Sequence, residues 1–108
     1  MKLKPDPKKF GLSPEILGQL NALFLSHSEI DAVVLYGSRA KGTYRPGSDI
    51  YITVKGGQVN NSLVGKLAEE IDDLLLPYSF DVSAWSQIDN PDLLAHIERV
   101  GIVIYQKS

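Results

Sequence analysis

The run Gly37-Ser38-Arg39-Ala40-Lys41-Gly42, followed after six residues by Asp49 and further on by Asp81, contains residue types able to hold a phosphate chain and a hard cation. Gly37 ends a β-branched apolar run and Ser38 opens a helical turn. Such a junction offers unpaired backbone N–H groups and the positive end of a helix dipole to phosphate oxygens. Gly37 lets the backbone approach closely, and the Ser38 hydroxyl adds a donor. Arg39 and Lys41 stand in the same turn, where a cation opposes the dipole unless an anion binds nearby. Asp49 starts an alternating segment, and Asp81 interrupts an apolar strand expected to be largely covered, where a carboxylate requires a partner. If the two strands pair, both acids lie opposite their apolar neighbours and converge on one cation. Mg²⁺ is the physical candidate, because it takes one or two carboxylates together with substrate phosphates and water.

The elements that must position these residues follow from periodicity and punctuation. Ser13-Pro14-Glu15 supplies an N-cap, a first-turn proline and a first-turn acid for a helix to about His27, with Ile16, Leu17, Leu20, Leu23 and Phe24 on one stripe. Ile30 to Tyr36 predicts a strand buried on both faces. Lys41 to Ser48 is a loop punctuated by Gly42, Pro46 and Gly47, and Asp49 to Lys55 alternates, with Ile50, Ile52 and Val54 opposite Asp49, Tyr51 and Thr53. Asn61 or Ser62 caps the next helix, which sends Leu63, Val64, Leu67, Ile71, Leu74 and Leu75 toward the core before Pro77 stops it. Ser79 to Trp85 alternates again. Asn90-Pro91-Asp92 starts a last helix to about Val100, and Gly101 releases a final strand, Ile102 to Tyr105. This alternation predicts an α/β (α+β) fold, a small mixed sheet covered by helices.

The 108 residues suit one domain, read as a flexible lead over residues 1–12 and a folded domain over residues 13–108. No cysteine is present, which closes thiolate metal sites and cysteine nucleophiles. No apolar run approaches the roughly 20 residues of a membrane span, and the Lys- and Pro-rich start lacks an apolar signal core, so a cytoplasmic protein with no membrane association is expected. A formal charge of −2 argues against nucleic acid as a direct ligand. The basic tail of Lys2, Lys4, Lys8 and Lys9 reads as a solvated end.

Gly37-Ser38-Arg39-Ala40-Lys41-Gly42, Ser48-Asp49-Ile50 and Asp81 together resemble the minimal nucleotidyltransferases, relatives of the DNA polymerase β-type catalytic domain. The resemblance covers roughly residues 14 to 105, including the ending Glu98-Arg99-Val100-Gly101 into Ile102-Val103-Ile104-Tyr105. It implies the nucleotidyltransferase fold and a Gly-Ser turn (Gly37, Ser38, Arg39, Lys41, Gly42) holding nucleotide phosphates. It also implies Mg²⁺ held by the two acids of an Asp-x-Asp pair, and a third acid on a neighbouring strand. Asp49 takes the place of the first metal ligand and Asp81 that of the third acid; Tyr51 stands where the second Asp belongs. A phenol carries no charge at neutral pH and is a poor ligand for a hard cation. One metal brought in with the nucleotide fits two acids better than a two-metal arrangement does.

The implied activity is transfer of a nucleoside monophosphate, AMP from Mg-ATP or the equivalent from another NTP, to a hydroxyl on a partner. Chains of this size resemble the antitoxin half of toxin–antitoxin pairs whose helical HEPN toxin presents a tyrosine as acceptor. The alternative reading is a catalytically degenerate nucleotide-binding or partner-neutralising module, for which Tyr51 is the evidence. Homo-oligomerisation is left open. Elsewhere, His27 and His96 read as structural or surface residues, and Trp85 as core packing on the Asp81 side. Tyr44 and Arg45 lie in the loop near the turn, and Glu69-Glu70 and Asp72-Asp73 read as a solvated helix face.

Overall fold

The computed structural model describes residues 11–108, so the expected flexible lead lies outside the described residues except for Gly11 and Leu12. Leu12 is fully buried in the main core. Helix α1, Pro14–Leu25, starts as its sequence dictates: the Ser13 hydroxyl accepts the Ile16 N–H at 3.2 Å, and Leu20 and Phe24 face inward. Strand β1, Ala32–Tyr36, leads through Gly37 into a single turn of helix, α2, Ser38–Lys41. Strand β2 is Ile50–Lys55, helix α3 is Asn61–Asp72, and strand β3 is Phe80–Ala84. A 3₁₀ turn, Trp85–Gln87, precedes helix α4, Pro91–Val100, and strand β4, Ile102–Gln106, ends the fold.

Two local expectations are corrected. Asn60, not Asn61 or Ser62, caps α3, with its side chain accepting the Leu63 N–H at 2.9 Å. Leu75 does not face the core: α3 has already ended, the residue takes a left-handed φ of 55°, and its side chain is 87% exposed. Chain reversal before Pro77 outweighs the burial of one leucine.

The strands form one four-stranded sheet in the order β3-β2-β1-β4. β1 is antiparallel to both neighbours, whereas β2 and β3 run parallel, joined by the α3 crossover. Helices α1 and α3 cover the face formed by Val33, Leu35, Ile50, Ile52, Val54 and Ala84. On the other face, Ile97 of α4 closes a smaller cluster with Val34 and Tyr36, joined by Tyr51, Trp85, Ile88 and Leu93. Central β1 is therefore covered on both sides, as its unbroken apolar run requires. The mixed strand directions also decide where the chemistry sits, since the exit of β1 and the entries of β2 and β3 share one end of the sheet.

Candidate nucleotide site

At the exit of β1, Gly37 has φ 83° and ψ −157°, a conformation open to glycine alone, and a Cβ there would lie 3.1 Å from Cδ2 of Tyr51. The turn beyond it is tightly closed: the Lys41 N–H donates to the Gly37 carbonyl at 3.1 Å and the Thr43 N–H to the Ser38 carbonyl at 3.0 Å. Gly42 caps the turn with φ 80°. Both glycines of the motif thus answer to backbone demands.

Register aligns the start of β2 with the start of β3. Tyr51 pairs with Asp81 across the parallel β2/β3 ladder, and Tyr36 pairs with Tyr51 across β1/β2. Asp49 immediately precedes β2, two residues before Tyr51 and about 7 Å from it along an extended chain. Both acids are exposed. For Asp81 this corrects the expectation of a covered carboxylate, because β3 is an edge strand and its polar face meets solvent.

Arg39 behaves differently from a phosphate contact. It is only 2% exposed, and its guanidinium turns away along the loop, where Nε and Nη2 donate to the Ser48 carbonyl at 3.2 and 3.1 Å. The rings of Tyr44 and Tyr78 lie against it at 4.8 and 5.0 Å. Hydrogen bonding and ring contact together compensate the burial of this charge. Because Ser48 immediately precedes Asp49, Arg39 fixes the acid relative to the Gly-Ser turn. Lys41 remains exposed at the end of α2.

The half-buried Tyr51 ring sits over Gly37 and against Tyr36, with ring centroids 5.7 Å apart. The Tyr36 phenol is buried, and its pKa is raised above the ordinary value. Desolvation is the main cause; a hydrogen bond with Ser83 pulls the other way, and the charges of Asp81 and Tyr51 add to the rise. Trp85 joins this face as expected, with Lys55 Nζ 4.3 Å from its ring centroid.

One participant was missed from the sequence. The Gly37 N–H donates to Nε2 of His96 at 3.2 Å, and the imidazole meets the edge of the Tyr36 ring with centroids 6.3 Å apart. His96 flanks the apolar stripe of α4, next to Ile97 and three residues after Leu93, and nothing in that spacing distinguishes it from a surface histidine. His27 lies away from the site and bonds Glu70 at 2.6 Å, so Glu70 is partnered and not merely solvated.

Among the described residues, no three or more His, Cys, Asp or Glu side chains group closely enough to hold a metal. Asp49 and Asp81 are carboxylates, the donor type that hard cations take, and among the described residues no third acid or histidine groups with them.

A four-stranded mixed sheet with helices on both faces, carrying a glycine-serine turn at the exit of β1 and acids at the entries of β2 and β3, defines a nucleotidyltransferase-type α/β domain. Residues 18–108 match the family model described as polymerase beta, nucleotidyltransferase, and the chain belongs to that family. No curated protein gives a significant match. Among solved structures, the fold resembles a chain of a toxin–antitoxin complex with AMP-PNP at TM-score 0.67 and 19% identity, over 90% of this chain and 76% of the other. It also resembles a chain in the complex of a tri-AMPylated Shewanella oneidensis HEPN toxin with its MNT antitoxin, at TM-score 0.64 and 16% identity over 86% and 71% of the two chains. The MntA–HepT toxin–antitoxin structure matches at TM-score 0.65 and 15% identity, over 88% and 74%. Among the described residues no helix is long and apolar enough to cross a membrane.

Proposed function

We propose that this chain is an antitoxin-type nucleotidyltransferase that binds Mg-ATP and transfers AMP to a hydroxyl on a helical HEPN-type partner. The observation that carries the reading is that the Gly37-Ser38 turn at the exit of β1 shares one end of the sheet with the start of β2, which Asp49 precedes, and the start of β3, which contains Asp81. The turn's backbone donors and the Ser38 hydroxyl would hold the phosphates, with Lys41 adding charge. Asp49 and Asp81 would hold Mg²⁺, whose contribution is to neutralise phosphate charge and favour departure of pyrophosphate. Asp81, exposed on the edge strand, would accept the proton of an incoming hydroxyl. Toxin–antitoxin complexes among the similar structures support the choice of partner class.

A second reading rests on Tyr51. Its ring lies over Gly37 where a second carboxylate would stand, which favours a module that binds and neutralises its partner without transfer. One experiment separates the two. The chain and its partner are incubated with labelled ATP and Mg²⁺, beside a Tyr51→Asp variant; transfer by the parent, raised at least tenfold by the variant, is expected because electrostatic stabilisation dominates such reactions. Tight partner binding with no label from either protein would leave the neutralising module.

A further inference from the structure

We propose that His96 belongs to the phosphate site and that nucleotide binding there is coupled to uptake of one proton by its imidazole. This inference rests on the nucleotide-binding reading above and adds a residue and a linkage to it. Its starting point is the Gly37 N–H, a donor of the phosphate turn, which is already engaged by His96 Nε2 at 3.2 Å. An imidazole nitrogen that accepts a hydrogen bond is unprotonated, so in this state the ring is neutral and presents a lone pair toward the turn. A phosphate oxygen can only accept. An incoming phosphate and the His96 lone pair therefore compete for the same N–H, and lone pair facing oxygen is repulsive.

Protonation resolves the conflict. Imidazolium donates from both nitrogens, so once Nε2 carries a proton from solvent, His96 and Gly37 become two donors converging on one phosphate oxygen. Imidazole is the side chain suited to changing charge near neutral pH. The surroundings favour the change when an anion arrives. From β1, the Tyr36 ring meets the imidazole and burial keeps its phenol neutral; from β2, the Tyr51 ring lies over Gly37. The acids at this end of the sheet are Asp49 and Asp81, and on α4 itself Asp92 and Arg99 stand one turn before and after His96. Arg39, committed to the Ser48 carbonyl, does not bring its charge to the turn, and Tyr51 brings no metal-binding carboxylate. An imidazolium at Gly37 adds positive charge at the start of the turn, beside that of Lys41 at its end.

The test is titration of the full chain with Mg-ATP by calorimetry, in PIPES and in Tris, buffers of widely different ionisation heat. For the parent, the observed heats should differ by the heat of releasing one buffer proton per ATP bound. In His96→Gln, which retains a hydrogen-bonding side chain but cannot become cationic, affinity should fall about tenfold and the buffer dependence should vanish. Equal heats in both buffers for the parent, or a buffer difference that survives in the variant, would overturn the role of His96 while leaving nucleotide binding intact. Absence of Mg-ATP binding by both the parent and Tyr51→Asp would remove the underlying reading as well. Should His96→Gln fail to fold, the His96 Hε1 resonance of the unaltered chain, assigned against that of His27, answers the question. Movement to the imidazolium position at saturating Mg-ATP supports the proposal, and no movement overturns it.

Discussion

Arg39 shows how much a residue's role depends on partners that its neighbours in sequence do not reveal. In the run Gly37 to Gly42 it stands among phosphate-turn residues, yet its head group spans to the carbonyl that precedes Asp49 and lies between two tyrosine rings. Replacing it with methionine should lower stability by about 2 to 3 kcal/mol, since the partly buried Ser48 carbonyl loses its donors and the ring contacts go. Arg39→Lys should rescue little, because an ammonium cannot present two parallel donors. Urea denaturation of the parent and both variants checks this; full stability in Arg39→Lys would mean that charge alone matters there. The backbone of the Gly-Ser turn and the strand position of Asp81 were legible because their constraints are local: a glycine-only backbone, a helix start, alternation along a strand. Arg39 and His96 were not, since Tyr78 reaches Arg39 from beyond α3, and Gly37 and His96 are 59 residues apart.

At the level of elements, boundaries followed punctuation where a cap and a proline stood together, as at Ser13 and Asn90, whereas the α3 cap is Asn60 and not the expected Asn61 or Ser62. The α3 end was misjudged because Leu74 and Leu75 continue an apolar pattern that the backbone abandons. Strand order is not written in periodicity at all, and it alone makes β3 an edge and leaves Asp81 exposed. The junction of α4 with β4 shows a close approach that the sequence marks only as a stop. Gly101 has φ −60°, acceptable for any residue, but a Cβ there would lie 2.4 Å from the Ile97 carbonyl and 2.7 Å from Cγ1 of Val34. Gly101→Ala is expected to cost about 1 to 3 kcal/mol by pushing α4 off the sheet. A shifted urea midpoint with unchanged slope would show it; because α4 carries His96, the variant should also bind Mg-ATP more weakly.

For the whole molecule, the buried Tyr36 phenol ties stability to alkaline pH. Its pKa in the folded state is raised, chiefly by burial, so the neutral form is favoured on folding. That contribution is fully present below the unfolded value of about 10 and is lost as pH rises through the higher folded value. Denaturation midpoints measured at pH 9 and pH 11 should fall further in the parent than in Tyr36→Phe, and equal falls would refute the assignment. The fold class was readable from the alternation of helix and strand, because a small sheet with apolar stripes on its helices has few ways to bury them. The sheet's asymmetry reaches further than its architecture. β1 is gripped from both sides, whereas β3 hangs from β2 alone. The glycine-serine bend is thus anchored to the last segment to open, and Asp81 to one of the first to fray. A nucleotide bound as proposed would bridge them as a clasp, and its residence time would govern how often the sheet's loose side breathes.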